Sequence, residues 1–431
     1  MPVILANATL AALAPPMVQR ADVLVEDGRI AEVGESLSAP AAVVVDCSGK
    51  MVMPGNVCAH THLYSALASG MPGPSRSPRN FRDILELIWW RLDRALDEPA
   101  IRYSALVGAI DALRCGTTAL VDHHSSPNAI DGSLDLIADA LQTVGMRGLV
   151  CYEVTDRGGA ERSRAGLREN ARFLRENQRP LVRGMVGAHA SFTLEDPTLE
   201  LLASLAAETR TGVHIHVAED LYDEQDSVRR SGMRTADRLL KAGVLDQRGI
   251  AAHGVHLDRS ELAALRQERT WLVHNCRSNM NNAVGRAQIE SFGDRGALGT
   301  DGIDGDMFAE SRTAFFRARE GNLAVPAEAP SGMLARGGTL ISEHFEDRIV
   351  VIEEGAIADL IVLDYDPPTP LDADNLAWQW MFGMSSQQVE SVMVAGEWAV
   401  QDRLLCRVDE EEVRARARVE AKRLWTRMET V

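Results

Sequence analysis

Apolar and polar positions change rhythm twice along the chain. From Ala21 the stretch ADVLVEDGRIAEVGE alternates apolar and polar side chains on either side of Asp27-Gly28, the pattern of two strands joined by a tight turn. The same alternation returns in RIVVIEEGAIADLIVLDYDPPTP from Arg348 and in VESVMVAGEWAVQDRLL from Val389. Between about Pro54 and Gly338, short apolar runs alternate with amphipathic stretches of helical period, which predicts repeated strand-helix units and a parallel sheet. The runs fall at residues 52–60, 117–124, 146–153, 181–189, 212–219, 248–254, 270–275 and 295–301. Eight of them predict a (β/α)8 barrel of the TIM type, in which catalytic side chains stand at the C-terminal strand ends.

The expected α/β architecture has three parts. Residues 1–53 and 339–405 together make a small β-sandwich domain from both termini, residues 54–338 make the barrel, and residues 406–431 add a charged helix packed on the surface. In FRDILELIWWRLDRALDE, from Phe81, the residues Ile84, Leu87, Ile88 and Leu92 recur at helical spacing. Trp89 and Trp90 on that helix read as core or subunit-interface residues, with stacking of Trp89 on a flat substrate as the alternative.

A chain of 431 residues, 45% apolar and 25% charged, fits a globular protein of about two domains. No apolar run approaches the roughly 20 residues of a membrane span, and the N-terminal stretch lacks the basic start of a signal peptide. A cytoplasmic protein without a membrane partner is expected. The net charge of −17, without clustered Lys or Arg, excludes a nucleic-acid binder. The six cysteines lack any CxxC pair, so they read as reduced thiols rather than disulfides or zinc ligands.

Histidine placement brings in chemistry. His60 and His62 stand two residues apart at a strand end, so both rings share a face about 6.6 Å apart along the chain. Two imidazoles so placed can reach one ion, although a packed pair has the same spacing. The fifth run ends HIHVAE, offering His216 as a third nitrogen ligand and Glu219 as a proton carrier; the sixth ends at His253 and the eighth at Asp301. Three histidines and an aspartate on one metal leave a position for water, whose pKa the ion lowers towards neutrality.

In order and spacing, PGNVCAHTH, HVAED, AAHG and GTDG resemble the amidohydrolase superfamily, in its cytosine-deaminase and chlorohydrolase-like branch. WWRLDRALDE, HIHVAEDLYD, VHNCRSNMNN and LGTDGIDGDMF are most similar to the SsnA-type aminohydrolases, and the likeness runs over essentially the whole chain. The resemblance implies His60, His62, His216 and Asp301 as metal ligands, with Asp301 also accepting the proton of water. It implies Glu219 as the acid that protonates a ring nitrogen and His253 as the imidazole that orients the hydroxide. Relatives that bridge two metals use a carboxylated lysine at the fourth strand; Lys50, Lys241 and Lys422 all lie elsewhere, so one divalent ion is expected, zinc first and ferrous iron second.

By the same resemblance His189 contacts substrate, and Arg277 and Asn279, in an RSNMNN turn that departs from the usual PSSN-like one, face it too. His123, His124 and His256 read as ordinary hydrogen-bonded side chains, His214 as a partner behind the ligands, and Asp304 and Asp306 as support for Asp301. The expected activity is hydrolysis of a carbon–nitrogen bond other than a peptide bond: deamination of a purine- or pterin-like amino-heterocycle by a metal-bound hydroxide, in a homo-oligomer. Ring opening of a cyclic amide, or displacement of chloride or alkylamine from a triazine, would use the same residues. A non-catalytic barrel would be expected to show eroded ligands, and all six positions are intact.

Overall fold

The computed structural model describes residues 1–431. The barrel strands are Asn56–Thr61, Thr117–His124, Arg147–Val154, Val186–Ala190, Val213–Val217, Ile250–His253, Trp271–His274 and Gly296–Leu298. Each is buried along its length and pairs in parallel with the next, as expected of strands covered by crossover helices. The eighth strand returns to the first. The amides of Thr300 and Asp301 both donate to the His60 carbonyl, at 2.8 and 3.1 Å, and Thr61 pairs with Asp301. Gly299 permits that approach, since a Cβ there would lie 2.8 Å from the His60 Cβ and 2.5 Å from Asn275 Oδ1.

Helices follow from periodicity and caps. In Ser133–Val144 the buried residues Leu134, Ile137, Ala138 and Leu141 form one apolar stripe against the sheet. Arg259–Gln267 starts at a reciprocal capping box between Asp258 and Glu261. The last barrel helix, Glu328–Phe345, runs past Gly338, where the barrel was expected to end, and lies on the first strand: a Cβ on Gly337 would stand 2.9 Å from Val57 Cβ.

Both termini build one mixed nine-stranded sheet. The long first strand, Val3–Leu13, pairs with Val43–Asp46 near its start and with Met51–Pro54 further along, and Met51–Pro54 also pairs with Leu360–Leu363. Leu5, Leu10, Val23, Val52, Leu360 and Met393 meet in one buried cluster, so the sheet curls over its own core. The Asp27-Gly28 turn has positive φ at both residues, 49° and 80°, as a tight hairpin turn requires.

The segment RIVVIEEG forms no strand. Ile349 and Val350 are instead buried against the base of the barrel beside Trp271, which leaves Leu360–Leu363 as the ladder strand there. Arg147, at the start of the third barrel strand, meets Asp359 of the terminal sheet through two hydrogen bonds, 2.7 and 2.8 Å, with both side chains buried. The C-terminal helix, Glu410–Met428, anchors through Trp425 Nε1 on the Leu67 carbonyl (2.8 Å) and Arg427 on Asp97 (2.8 Å). All six cysteines are free thiols. No helix is long and apolar enough to cross a membrane.

Candidate active site

The C-terminal strand ends bring His60, His62, His216, Glu219, His253 and Asp301 into one cluster. Asp301 Oδ1 lies 3.0 Å from His62 Nε2 and 3.7 Å from His60 Nε2, and the Nε2 atoms of His62 and His216 are 3.2 Å apart. One donor atom from each of His60, His216, His253 and Asp301 falls within 4.8 Å of the others. The backbone bends sharply to achieve this. Ala218, His253 and Asp301 have φ of 49°, 77° and 53°, in the left-handed region that non-glycine residues avoid, and such strain is characteristic of functional sites.

Hydrogen bonds behind the rings decide which nitrogen faces inward. His62 Nδ1–H donates to the His123 carbonyl (2.5 Å), His216 Nδ1–H to the His189 carbonyl (2.8 Å) and His253 Nδ1–H to Asn279 Oδ1 (2.8 Å). Each neutral ring therefore presents an Nε2 lone pair to the centre. With all rings neutral, the Nε2 lone pairs of His62 and His216, 3.2 Å apart, would repel, and the buried Nε2 atoms of His60 and His253 make no hydrogen bond. A cation among them would take the lone pairs of the rings that bind it, so the residues fit a divalent metal. Burial holds His60 and His216 well below the usual histidine range. For His62 burial works the same way, yet the Asp301 carboxylate overcomes it and raises the ring to about 9, as expected where the surroundings favour positive charge.

The two carboxyls are pushed apart. Burial, reinforced by the charge of Asp301, holds Glu219 well above its ordinary value and so protonated. Burial acts on Asp301 too, but His60 and His62 outweigh it and keep this carboxyl well below its ordinary value. Ser278 Oγ donates to Asp301 Oδ2, and Asn282 Nδ2 donates to Ser278 at 3.3 Å. Glu219 Oε2 stands 3.6 Å from His253 Nε2. Neighbouring carboxyls with opposite protonation suit acid and base work.

A cavity opens over this cluster. Trp89, Trp90, Phe81 and Phe192 supply flat apolar walls, and Asp93, Glu153 and His189 also line it. Trp89 thus meets the cavity rather than a closed core, on a helix that widens into a π turn over Leu85–Trp89. His189 donates from Nδ1 to Thr193 Oγ1 (2.7 Å), whose own proton goes to the Ala190 carbonyl, so His189 Nε2 is an acceptor. Arg157, 4.5 Å over the Trp90 ring, bridges Asp93 (3.2 Å) and Glu153 (3.3 Å), while the buried Asp93 Oδ1 has no partner.

Two expected substrate contacts lie elsewhere. The short helix Cys276–Asn281 turns Arg277 away from the cavity, into ion pairs with Glu310 (2.6 Å) and Asp304 (2.8 Å). Asn279 is spent on His253. Asp306 caps the helix Met307–Gly321 rather than serving Asp301. His124 bonds Ser126 and His256 bonds the Val284 carbonyl, both as ordinary buried polar groups, and His123 donates from Nε2 to main-chain carbonyls. Asp93, Glu153, Ser278 and Asn282 had not been singled out. For Glu153 a signal existed: a lone acid stands next to last in the buried strand RGLVCYEV.

A family model described as the amidohydrolase family matches residues 51–399. The chain is 29% identical to a 5-methylthioadenosine/S-adenosylhomocysteine deaminase of Pyrococcus furiosus, over 92% of this chain and 94% of that protein. It is 30% identical to a 5'-deoxyadenosine deaminase of Methanopyrus kandleri, over 84% of each. Among solved structures, an adenosine deaminase from Xanthomonas campestris with bound zinc superposes with a TM-score of 0.85 at 25% identity, covering 100% of this chain and 99% of that one.

Proposed function

The chain belongs to the amidohydrolase family, and from that premise we propose that it is a metal-dependent aminohydrolase that deaminates a purine-like amino-heterocycle, with 5'-modified adenosines the first substrates to try. The observation that carries this reading is the convergence of inward Nε2 lone pairs and ionised Asp301 beside protonated Glu219, at the floor of a flat-walled cavity.

In this reading His60, His62, His216 and Asp301 hold one divalent ion, zinc in the first instance. Bound there, the ion supplies the Lewis acidity that makes water nucleophilic at neutral pH. Asp301, its Oδ2 engaged by Ser278, offers Oδ1 as the base beside that water. His253, its Nδ1 fixed by Asn279, aims its Nε2 lone pair at the attacking water, accepting a hydrogen bond that orients the oxygen towards the ring carbon. Glu219 gives its proton to the ring nitrogen next to the reacting carbon, so that carbon becomes tetrahedral without building a ring anion. The proton taken by Asp301 leaves with ammonia, the proton of the added hydroxyl returns to Glu219 as the carbonyl forms, and the products are ammonia and the oxo-heterocycle.

Trp89, Trp90 and Phe192 exclude water and hold the ring flat. The acceptors lining the cavity, His189 Nε2 and Asp93 Oδ1, require a substrate that presents N–H or O–H donors to them. Metal-loaded protein is expected to release ammonia from at least one member of a panel of adenine nucleosides, aminopurines and pterins, to lose that activity on chelation, and to regain it with zinc. Silence across the whole panel at full metal content would overturn the assignment.

A further inference from the structure

Beneath the cluster lies a second group of metal-ligating side chains, His123, Cys151 and His214, whose donor atoms also fall within 4.8 Å of one another. We propose that Cys151 and His214 are positioning residues, a hydrogen-bonded relay that locks the ring of His60 for the metal, and that this group holds no second ion.

Bond directions separate the two readings. His123 Nε2 lies 3.0 and 3.2 Å from the carbonyls of Ala188 and His214, so that nitrogen carries a proton, and the ring's other nitrogen, Nδ1, faces Glu153 Oε2 at 3.4 Å. The Cys151 S–H donates to the Asp122 carbonyl at 3.6 Å, and burial keeps the thiol protonated. Its sulfur then accepts from His214 Nδ1–H at 3.9 Å, which leaves His214 Nε2 as an acceptor, 2.8 Å from His60 Nδ1. His60 must donate there, and its Nε2 lone pair points into the cluster. The HIH spacing produces this layering: residues 214 and 216 both face the barrel interior, one level apart, so His216 reaches the cluster while His214 sits behind His60. His62, His216 and His253 lean directly on carbonyl oxygens, whereas His60 leans on a chain of two side chains ending in a main-chain carbonyl.

The inference rests on the metal site of the preceding section but not on the reaction, because its test reads metal binding and needs no substrate. Metal content, chelator competition and the d–d spectrum of the cobalt-substituted protein would be measured for wild type and for His214→Phe, His214→Gln, Cys151→Ala and Cys151→Ser. Wild type is expected to hold one ion per chain. His214→Phe, which keeps the volume but not the acceptor, should weaken metal binding about 10- to 100-fold and move the cobalt bands. His214→Gln, which keeps an acceptor near His60, should recover most of that loss. A merely packed His214 gives the reverse order.

Should His214→Phe fail to fold by circular dichroism, the cysteine pair decides, with Ala weakening the metal and Ser restoring it. Two ions per chain, one lost in Cys151→Ala, would establish a second metal site and overturn the relay. Unchanged affinity and spectrum in a folded His214→Phe would overturn it as well. A wild-type chain that binds no ion would remove the metal site itself.

Discussion

Replacing Glu219 with Gln isolates the proton it is assigned to give. Glutamine matches the side chain in volume, so the pocket around this nearly buried residue, 13% exposed, stays filled. What disappears is an acid whose pKa burial and the charge of Asp301 hold well above its ordinary value. Positioned general-acid catalysis contributes about 10²–10⁴ in rate, or about 2.7–5.4 kcal/mol at 1.36 kcal/mol per tenfold, and kcat should fall by that factor. Removing a carboxyl that competes with Asp301 should leave zinc content intact, and KM should move only a few-fold because the aromatic walls are untouched. The raised pKa adds a second signature. Glu219 acts while protonated, so wild-type kcat should decline as pH rises through its pKa, and the variant should lack that basic limb. Steady-state kinetics by coupled ammonia detection across pH, with zinc measured on the same samples, makes the check. A kcat within tenfold of wild type at full zinc, or an unaltered basic limb, would refute Glu219 as the proton donor.

Asp93 is raised to about 6, first by burial and further by Glu153 against the pull of Arg157. Its role as acceptor needs the ionised form, so KM should rise as pH falls through about 6, and Asp93→Asn should raise KM about tenfold or more and flatten that dependence. Stability should run the other way: with the folded pKa above the unfolded value, this carboxyl favours the native state at low pH, a contribution lost as pH rises through about 6, visible in denaturant midpoints of wild type against Asp93→Asn. Arg147→Ala leaves Asp359 buried and unpaired and should cost about 3–5 kcal/mol in chemical denaturation, whereas Arg147→Met with Asp359→Leu should recover most of it. Equal losses in the single and double variants would show that packing, not the stranded charge, sets the cost. Ser278→Ala removes the hydrogen bond to Asp301 Oδ2 and should lower kcat about tenfold or more with little change in KM, measured at matched zinc content.

The eight strands and the convergence of the clustered histidines and carboxyls were readable because they depend on local periodicity. In a parallel strand a residue's parity fixes its face, and its place at the C-terminal end fixes its height, so HxH, HIHVAE, AAHG and GTDG had to converge once a barrel closed. Arg277 and Asn279 misled for the opposite reason. They follow a strand end, but the helix Cys276–Asn281 begins at once and its rotation, not strand parity, sends Arg277 to Glu310 and Asn279 to His253. RIVVIEEG has strand-like alternation and still plugs the barrel base, because an apolar face is satisfied by any complementary surface.

By itself the sequence determined a barrel, its register of buried and exposed faces, and which histidines and carboxyls stand at the catalytic end. Only the tertiary structure decided which nitrogen of each ring points inward, that Glu219 is protonated while Asp301 is not, and that Asp93, Glu153 and His189 make a wall of acceptors. Those properties arise from partners far apart in the chain, Asn279 behind His253, Ser278 behind Asp301 and Arg157 between Asp93 and Glu153, and from the loss of water around them. Periodicity is a local quantity, whereas tautomer, charge state and desolvation are set by everything that surrounds a group.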